Sequence, residues 1–154
     1  MIHILKKHTI NAQPEAVWQL LADYMHDDEF CPLVVSVDAL TEGKDGMGSK
    51  RRNNFANGTS IVEEVTAWDE GRSMRVLMSE MGAIPMKEAF AEISIEPLPG
   101  GRTNVNWGLK FRAKYGPLGW LMGQTMMRMA LGKVIMGNLV GLAEKVATPQ
   151  TAVA

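Results

Sequence analysis

The hydrophobic and polar positions along the chain change their period three times, and each change indicates a new kind of element. Residues 2–10 alternate loosely and are rich in isoleucine, which predicts a first strand. From Pro14 the apolar positions follow helical spacing as far as Phe30, with a break near Asp23, and Pro32 ends the pattern. The N-terminal part therefore predicts one strand followed by two short helices.

From residue 33 to residue 112 the period is two, which is typical of strands with one buried face. Turn residues divide this region into runs with little room for helices between them, so the runs indicate consecutive antiparallel strands: 33–42, 48–55, 59–69, 72–81, 86–96 and 102–112. The dipeptide Asn57-Gly58 is a strong signal for a two-residue hairpin turn. Together with the first strand, these runs predict one antiparallel sheet of seven strands.

The last long segment, residues 116–146, has apolar residues on every face of a helical pattern. Arg128 and Lys133 interrupt it before about 18 uncharged apolar residues have passed, so we expect burial inside the protein and no integral membrane segment. A seven-stranded sheet that covers such a helix has to curve. The space between the sheet and the helix is a candidate ligand cavity. The fold class is therefore α+β.

The composition narrows the classes of function. The 154 residues fit one domain, which we expect at 1–146, with a frayed tail at 147–154. The net charge is −1 and only 6% of the residues are aromatic, which argues against nucleic-acid binding. Cys31 is the only cysteine and the three histidines are not clustered, so we expect no metal and no other cofactor. The N-terminus lacks an apolar signal-peptide run, and we expect a cytoplasmic protein.

Charged residues on the two strands of the predicted hairpin form the strongest polar constellation. With a two-residue turn, Arg52 lies opposite Glu63 and Arg51 lies opposite Glu64. One of these pairs then faces the concave side of the sheet, where a carboxylate could orient a ligand or exchange a proton. Alternation leaves both faces open, and the alternative explanation is a set of ion pairs that only fix the strand register.

Methionines and small residues indicate where a ligand would lie. Met74, Val76 and Met78 share one strand face, and they would meet the helix methionines across the cavity if that face is concave. Flexible thioethers adapt to ligands of varied shape, and small residues on the next strand would leave room. The expected ligand-binding residues are Met74, Val76, Met78, Ala89, Ala91, Trp107, Leu109, Met122, Met126 and Met129. The alternative is that these side chains only fill the core.

The order of elements and several short phrases are similar to the SRPBCC superfamily. The phrases are INAQPEAVW (10–18), FCP (30–32), GMGSKR (46–51), WDE (68–70) and YGPLG (115–119). Over residues 2–146 the chain resembles the bacterial polyketide cyclase/dehydrase and lipid-transport-like branch. The resemblance implies the START-like helix-grip fold of the birch pollen allergen, with a curved sheet wrapped around the C-terminal helix. Cys31 departs from many relatives, which carry the histidine of a Trp-His-Pro phrase at this place.

The resemblance also points to candidate catalytic residues. The strand position of Glu63 matches a glutamate that is common in similar proteins, so we expect Glu63 and Arg51 in the cavity. Glu64 and Arg52 take their place if the strand faces are reversed.

The resemblance further implies a cavity mouth near the second short helix. We expect His26 and Phe30 at this mouth, because START-like proteins border their cavity there. His26 stands beside three acidic residues, so a solvated surface histidine is the alternative.

Three functions are consistent with this sequence. The first, which we expect, is binding of a small hydrophobic or amphipathic molecule, such as a lipid, a polyketide-like compound or an aromatic compound. The second is a cyclase or dehydratase-like reaction at a cavity carboxylate, without metal or nucleotide cofactor. The third is a ligand-free interaction protein that docks a partner, or a second copy as a homodimer, near residues 116–121.

Overall fold

Seven antiparallel strands form one sheet in the computed structural model, which describes residues 1–147. The strands are β1 (Ile2–Ile10), β2 (Val34–Ala39), β3 (Lys50–Phe55), β4 (Ser60–Asp69), β5 (Ser73–Ser79), β6 (Met86–Leu98) and β7 (Arg102–Ala113). Their order across the sheet is β1-β7-β6-β5-β4-β3-β2, so strands β2 to β7 form a continuous meander. The first strand pairs with the last one, and the predicted antiparallel sheet is confirmed.

Two short helices connect β1 to β2. α1 spans Pro14–Ala22, and a 3-10 helix spans Tyr24–Glu29. A proline suits the first turn of α1, because the backbone N–H groups there have no partner within the helix. Trp18 of α1 lies edge-on to Trp68 of β4, with ring centroids 5.3 Å apart. This contact anchors α1 against the sheet.

The C-terminal segment is helical throughout but not uniform. α2 (Gly116–Met122) continues through a π-helical turn (Gly123–Met127) into α3 (Arg128–Ala147). The helix therefore extends to the last described residue, one position beyond the predicted end at residue 146. The remaining part of the predicted tail, 148–154, lies outside the described residues. The sheet and this long helix together form the helix-grip fold.

One face of α3 contacts the core on the concave side of the sheet. Ile135, Leu139 and Leu142 are buried on this face. Gly141 allows a close approach, because a Cβ there would collide with the backbone carbonyl of Phe30. A methyl group at this position would push the helix away from the segment that follows the 3-10 helix.

The expected burial of every face of the C-terminal segment is wrong for its first half. Tyr115, Leu118, Trp120, Leu121, Met126 and Met129 are all more than half exposed. The physical reason is that a single sheet offers one concave face, which covers only one side of a helix. The docking surface expected near residues 116–121 is thus open to solvent, and its partner stays a prediction.

The same segment bears on the membrane question. Among the described residues, Gly116–Ala147 is one helical segment long and apolar enough to cross a membrane, with a mean hydropathy of 1.2 in its most apolar window. Core helices of soluble proteins can have the same length and composition, but they are mostly buried, whereas 22% of this window is buried. The expectations of no membrane segment and of a cytoplasmic location stay predictions.

The β3–β4 hairpin turns through three residues instead of the predicted two. The N–H of Phe55 donates to the carbonyl oxygen of Thr59 at 2.9 Å, and the N–H of Gly58 donates back to the carbonyl of Phe55. Gly58 has φ +88°, a left-handed conformation that glycine adopts at no steric cost. A type I turn followed by such a residue is a common three-residue hairpin loop. The extra loop residue shifts the register of the two strands by one position.

Candidate functional site

A cavity of about 430 Å³ lies between the concave face of the sheet and α3. Its apolar wall consists of Leu33, Val34, Phe55, Ala56, Ile61, Met78, Ile84, Met86, Trp107, Leu109, Leu131, Val134 and Ile135. Leu33, Ala56 and Asn57 line the cavity and are exposed, so it opens to solvent beside the β3–β4 hairpin loop. A concave, mainly apolar site of this size fits a small organic molecule.

The shifted register decides which charged residues face this cavity. Arg51 lies opposite Glu63, and both side chains point to the concave side. The predicted pairing of Arg52 with Glu63 is therefore wrong, because the hairpin loop has three residues. Arg52 and Glu64 lie on the outer face, where Glu64 is 3.8 Å from Lys50. The alternative with reversed strand faces does not occur.

Arg51 is the centre of a buried polar cluster. Its Nε and Nη2 atoms donate to Oε1 of Glu63 at 2.9 and 2.6 Å, and Nη2 lies 3.2 Å from Oδ2 of Asp27. Nη1 donates to the backbone carbonyl of Tyr24, and the guanidinium carbon lies 3.8 Å from the centre of the Tyr24 ring. One buried cation is thus held by two carboxylates, a carbonyl and an aromatic face.

Asn53 connects the two carboxylates. Its amide nitrogen donates to Oδ2 of Asp27 at 3.0 Å and to Oε1 of Glu63 at 2.9 Å. Its amide oxygen is buried and has no hydrogen-bond partner within residues 1–147, and the same holds for the hydroxyl of Tyr24. Asp27, Asn53 and Glu63 all line the cavity, whereas Arg51 lies behind them. They form the polar end of an otherwise apolar site.

Burial sets the protonation chemistry of this cluster. Burial raises the pKa of Glu63 above its usual 4.5; Arg51 opposes this rise and Asp27 adds to it. Burial likewise raises the pKa of the Tyr24 hydroxyl and of the Cys31 thiol, so both stay protonated at neutral pH. Burial alone would lower the pKa of Arg51, but Asp27 and Glu63 outweigh it and raise that pKa. The raised pKa brings Glu63, which lines the cavity, closer to the neutral range in which a carboxyl group exchanges a proton.

The seven predicted ligand-binding residues on the sheet divide into two groups around the cavity. Met78, Trp107 and Leu109 line it together with Glu63. Four others are buried in the core beside the cavity without lining it: Met74, Val76, Ala89 and Ala91. Ala89 lies beside Met78, and Ala91 lies beside Val76 and Leu109 on the inner face of the sheet.

The helix methionines were placed wrongly by the sequence pattern. Met126 and Met129 are 70% and 66% exposed on the outer side of the helical segment, so they are not part of the cavity wall. Met122 is half-buried and also lies outside the cavity. Their places are taken by Leu131, Val134 and Ile135, which lie further along the helix.

The two residues expected at the cavity mouth do not line it. His26 is exposed and its ring lies 2.7 Å from the carboxylate of Asp23, which raises the pKa of this histidine. This arrangement matches the surface alternative. Phe30 is buried in the core. The 3-10 helix places their neighbours Asp27 and Cys31 at the cavity instead.

Asp27 and Asn53 are the site residues that the sequence analysis missed. A signal for Asn53 was present, because it alternates with Arg51 along β3 and must share its face. Asp27 stands in the run Asp27-Asp28-Glu29, which looks like a solvated acidic surface. Only the fold shows that one of these three side chains points inward.

Residues 1–147 contain no group of three His, Cys, Asp or Glu side chains that could hold a metal ion. The polar end of the cavity offers hydrogen-bonding groups and a carboxyl group with a raised pKa. The expectation that no cofactor is used stays a prediction.

Comparisons with known proteins agree with this architecture. The family model described as polyketide cyclase/dehydrase and lipid transport matches residues 1–147. No curated protein matches the chain. The solved structure of the ZhuI aromatase/cyclase from Streptomyces sp. R1128 is similar, with a TM-score of 0.80, 17% identity and coverage of 99% of this chain and 96% of that chain.

Two further structures have the same fold. A START superfamily protein from Mycobacterium smegmatis has a TM-score of 0.76 and 15% identity, and the match covers 94% of this chain and 96% of that chain. A protein from Thermus thermophilus has a TM-score of 0.78 and 18% identity, over 99% of this chain and 100% of that chain. At these identities the structures show the fold alone. The family model spans nearly the whole sequence, and the chain therefore belongs to the polyketide cyclase/dehydrase and lipid transport family of the SRPBCC superfamily.

Proposed function

We propose that this protein binds a small hydrophobic or amphipathic molecule in the cavity between the sheet and α3. The observation that carries the proposal is the cavity itself, about 430 Å³ with a mainly apolar wall and one polar end. Removing apolar surface from water contributes roughly 25 cal/mol per Å², so such a wall gives affinity to any apolar molecule that fits. The polar end at Asp27, Asn53 and Glu63 would orient that molecule.

The family description supports the same class of ligand. It combines transport of lipids with cyclisation and dehydration of polyketides, and both involve organic molecules with apolar parts. A lipid, a polyketide-like compound and an aromatic compound are all compatible with the wall. Trp107, Leu109 and Met78 offer aromatic, branched and flexible surfaces side by side.

A second candidate function is acid/base catalysis on a bound polyketide-like molecule. It is favoured by the Glu63 carboxylate, which lines the cavity with a raised pKa and is held by Arg51. If a substrate is turned over, Glu63→Gln should abolish turnover while the protein still binds the substrate. Unchanged turnover in this variant would assign the protein to binding alone.

Titration of the full chain with Nile red, a neutral apolar dye, tests the proposal. We expect one dye molecule per chain and a rise in its fluorescence. Leu131→Trp should fill the cavity and weaken binding at least tenfold, because Leu131 lines the wall from the half-buried side of α3. Met129→Trp adds the same indole to the exposed face of the same helix and serves as the matched control.

For this comparison, both variants must have the same circular dichroism spectrum and the same thermal unfolding temperature as the original protein. Equal binding by Leu131→Trp and Met129→Trp would contradict a site inside the cavity. Loss of binding only in Met129→Trp would place the dye on the exposed helix face.

A further inference from the structure

We infer that the ligand of the cavity carries a hydrogen-bond-donating head group, a hydroxyl or a protonated amine, which binds to Glu63 and Asn53. A ligand with a carboxylate head would be excluded. This inference rests on the proposed function, because it assumes that the cavity holds an amphipathic molecule. It adds the chemical group that the polar end recognises, because the apolar wall does not distinguish between head groups.

Apart from the Tyr24 hydroxyl, which does not line the cavity, the donors of the polar cluster are used inside the cluster. The amide nitrogen of Asn53 has two hydrogens, and they are directed to Asp27 and Glu63. The guanidinium of Arg51 is directed to the same two carboxylates and to the carbonyl of Tyr24. Arg51 also lies behind the cavity wall, so a ligand does not reach its N–H groups.

The cavity-lining atoms of the cluster that remain without a partner are acceptors. Oε1 of Glu63 takes the hydrogen bonds from Arg51 and Asn53, and within residues 1–147 no donor contacts its second oxygen, Oε2. The amide oxygen of Asn53 is also unpartnered, although the whole residue is only 4% exposed. A buried acceptor without a hydrogen bond is unfavourable, so a donor from the ligand stabilises the complex here.

The charge of the cavity wall favours the same head group. Two carboxylates, Asp27 and Glu63, line the cavity, and no lysine, arginine or histidine of residues 1–147 does. The other polar side chains of the wall are neutral: Asn57, Thr59 and Asn138. A carboxylate ligand would bring a third negative charge to a buried site with one guanidinium, which repulsion and desolvation both oppose.

A matched set of naphthalenes tests the head group by displacement of Nile red at pH 7. 2-Naphthol has an O–H donor, 2-methoxynaphthalene has the same shape without the donor, and 2-naphthoate is anionic. We expect 2-naphthol to bind at least tenfold more tightly than 2-methoxynaphthalene and 2-naphthoate. Glu63→Gln should reduce the preference for 2-naphthol over 2-naphthoate at least fivefold, because the repelling charge is removed.

Glu64→Gln is the matched control, since it makes the same change one residue further along β4 on the outer face. It should leave the preference unchanged. Equal binding of 2-naphthol and 2-methoxynaphthalene, tighter binding of 2-naphthoate, or no displacement of bound dye by 2-naphthol would each overturn the head-group inference while the cavity proposal stands. A protein that does not bind Nile red at all would overturn the proposed function and this inference with it.

Discussion

Two ion pairs lie next to each other on the same two strands and have opposite environments. Arg51 and Glu63 are 2.6 Å apart, with side chains 6% and 11% exposed. Lys50 and Glu64 are 3.8 Å apart, with side chains 40% and 43% exposed. Both pairs join a basic residue of β3 to an acidic residue of β4. The side of the sheet decides their roles, not the type of charge.

The difference follows from the alternation of side chains along a strand. The outer pair is solvated, so it needs no further partners and contributes at most about 1 kcal/mol to stability. The inner pair has lost its water and is held by Asp27, Asn53 and Tyr24 instead. Removing one member of a buried pair leaves an unpaired charge, which is far more unfavourable than removing an exposed one.

Arg51→Leu is the change with the largest expected effect. It leaves Asp27 and Glu63 side by side in the interior without their cation. We expect a loss of about 3–5 kcal/mol in the free energy of unfolding, measured by urea denaturation followed by circular dichroism. A loss below about 1 kcal/mol would mean that the buried pair behaves like the outer one.

Glu63→Gln should change the pH dependence of stability. The native pKa of Glu63 is raised above 4.5, so between pH 4.5 and that raised value the native state binds more protons than the unfolded state. The original protein should therefore lose stability relative to the variant as the pH rises through this window. The expected loss is about 1.4 kcal/mol for each pH unit by which the native pKa exceeds the unfolded one.

Urea unfolding of both proteins at a series of pH values measures this difference. A difference that is independent of pH would show that Glu63 titrates in the folded protein as it does in the unfolded chain. His26 also has a raised pKa, but it is present in both proteins and cancels in the comparison.

Glu64→Gln should have the smallest effect. The lost ion pair with Lys50 is half exposed, so we expect a change below about 1 kcal/mol in the free energy of unfolding. High salt screens exposed ion pairs, so the same urea experiment at high salt should give an even smaller difference in the free energy of unfolding. A loss as large as that of Arg51→Leu would remove the distinction between the two faces of the sheet.

The period of the apolar residues predicted the fold well because it depends on local geometry. Alternation identified the strands, and Pro14 and the break at Asp23 identified the two short helices. The order of elements then left few ways to cover the C-terminal helix. Glu63 and Arg51 were expected in the cavity, although the predicted register paired Glu63 with Arg52. The structure brings Glu63 and Arg51 into contact on the concave face, with Glu63 lining the cavity and Arg51 behind it.

The sequence predictions were wrong where a single loop residue sets the strand register or where only one side of an element is buried. Asn57-Gly58 predicted a turn, but the sequence did not show that Ala56 belongs to the loop, and this shifted the register. Met126 and Met129 have the same chemistry as buried methionines, yet they lie on the side of the helix that the sheet does not cover. Asp27 is hidden in an acidic run, and only the bend of the chain before β2 turns it toward Arg51.

Mapping a bound ligand by methyl NMR tests the central claim most directly, because both candidate surfaces of the helix carry methyl groups. 2-Naphthol would be titrated into protein labelled at isoleucine, leucine, valine and methionine methyls. The cavity account predicts shifts at Ile61, Met78, Leu109 and Ile135, which line the cavity. Shifts confined to Leu118, Leu121, Met126 and Met129 on the exposed face would contradict it.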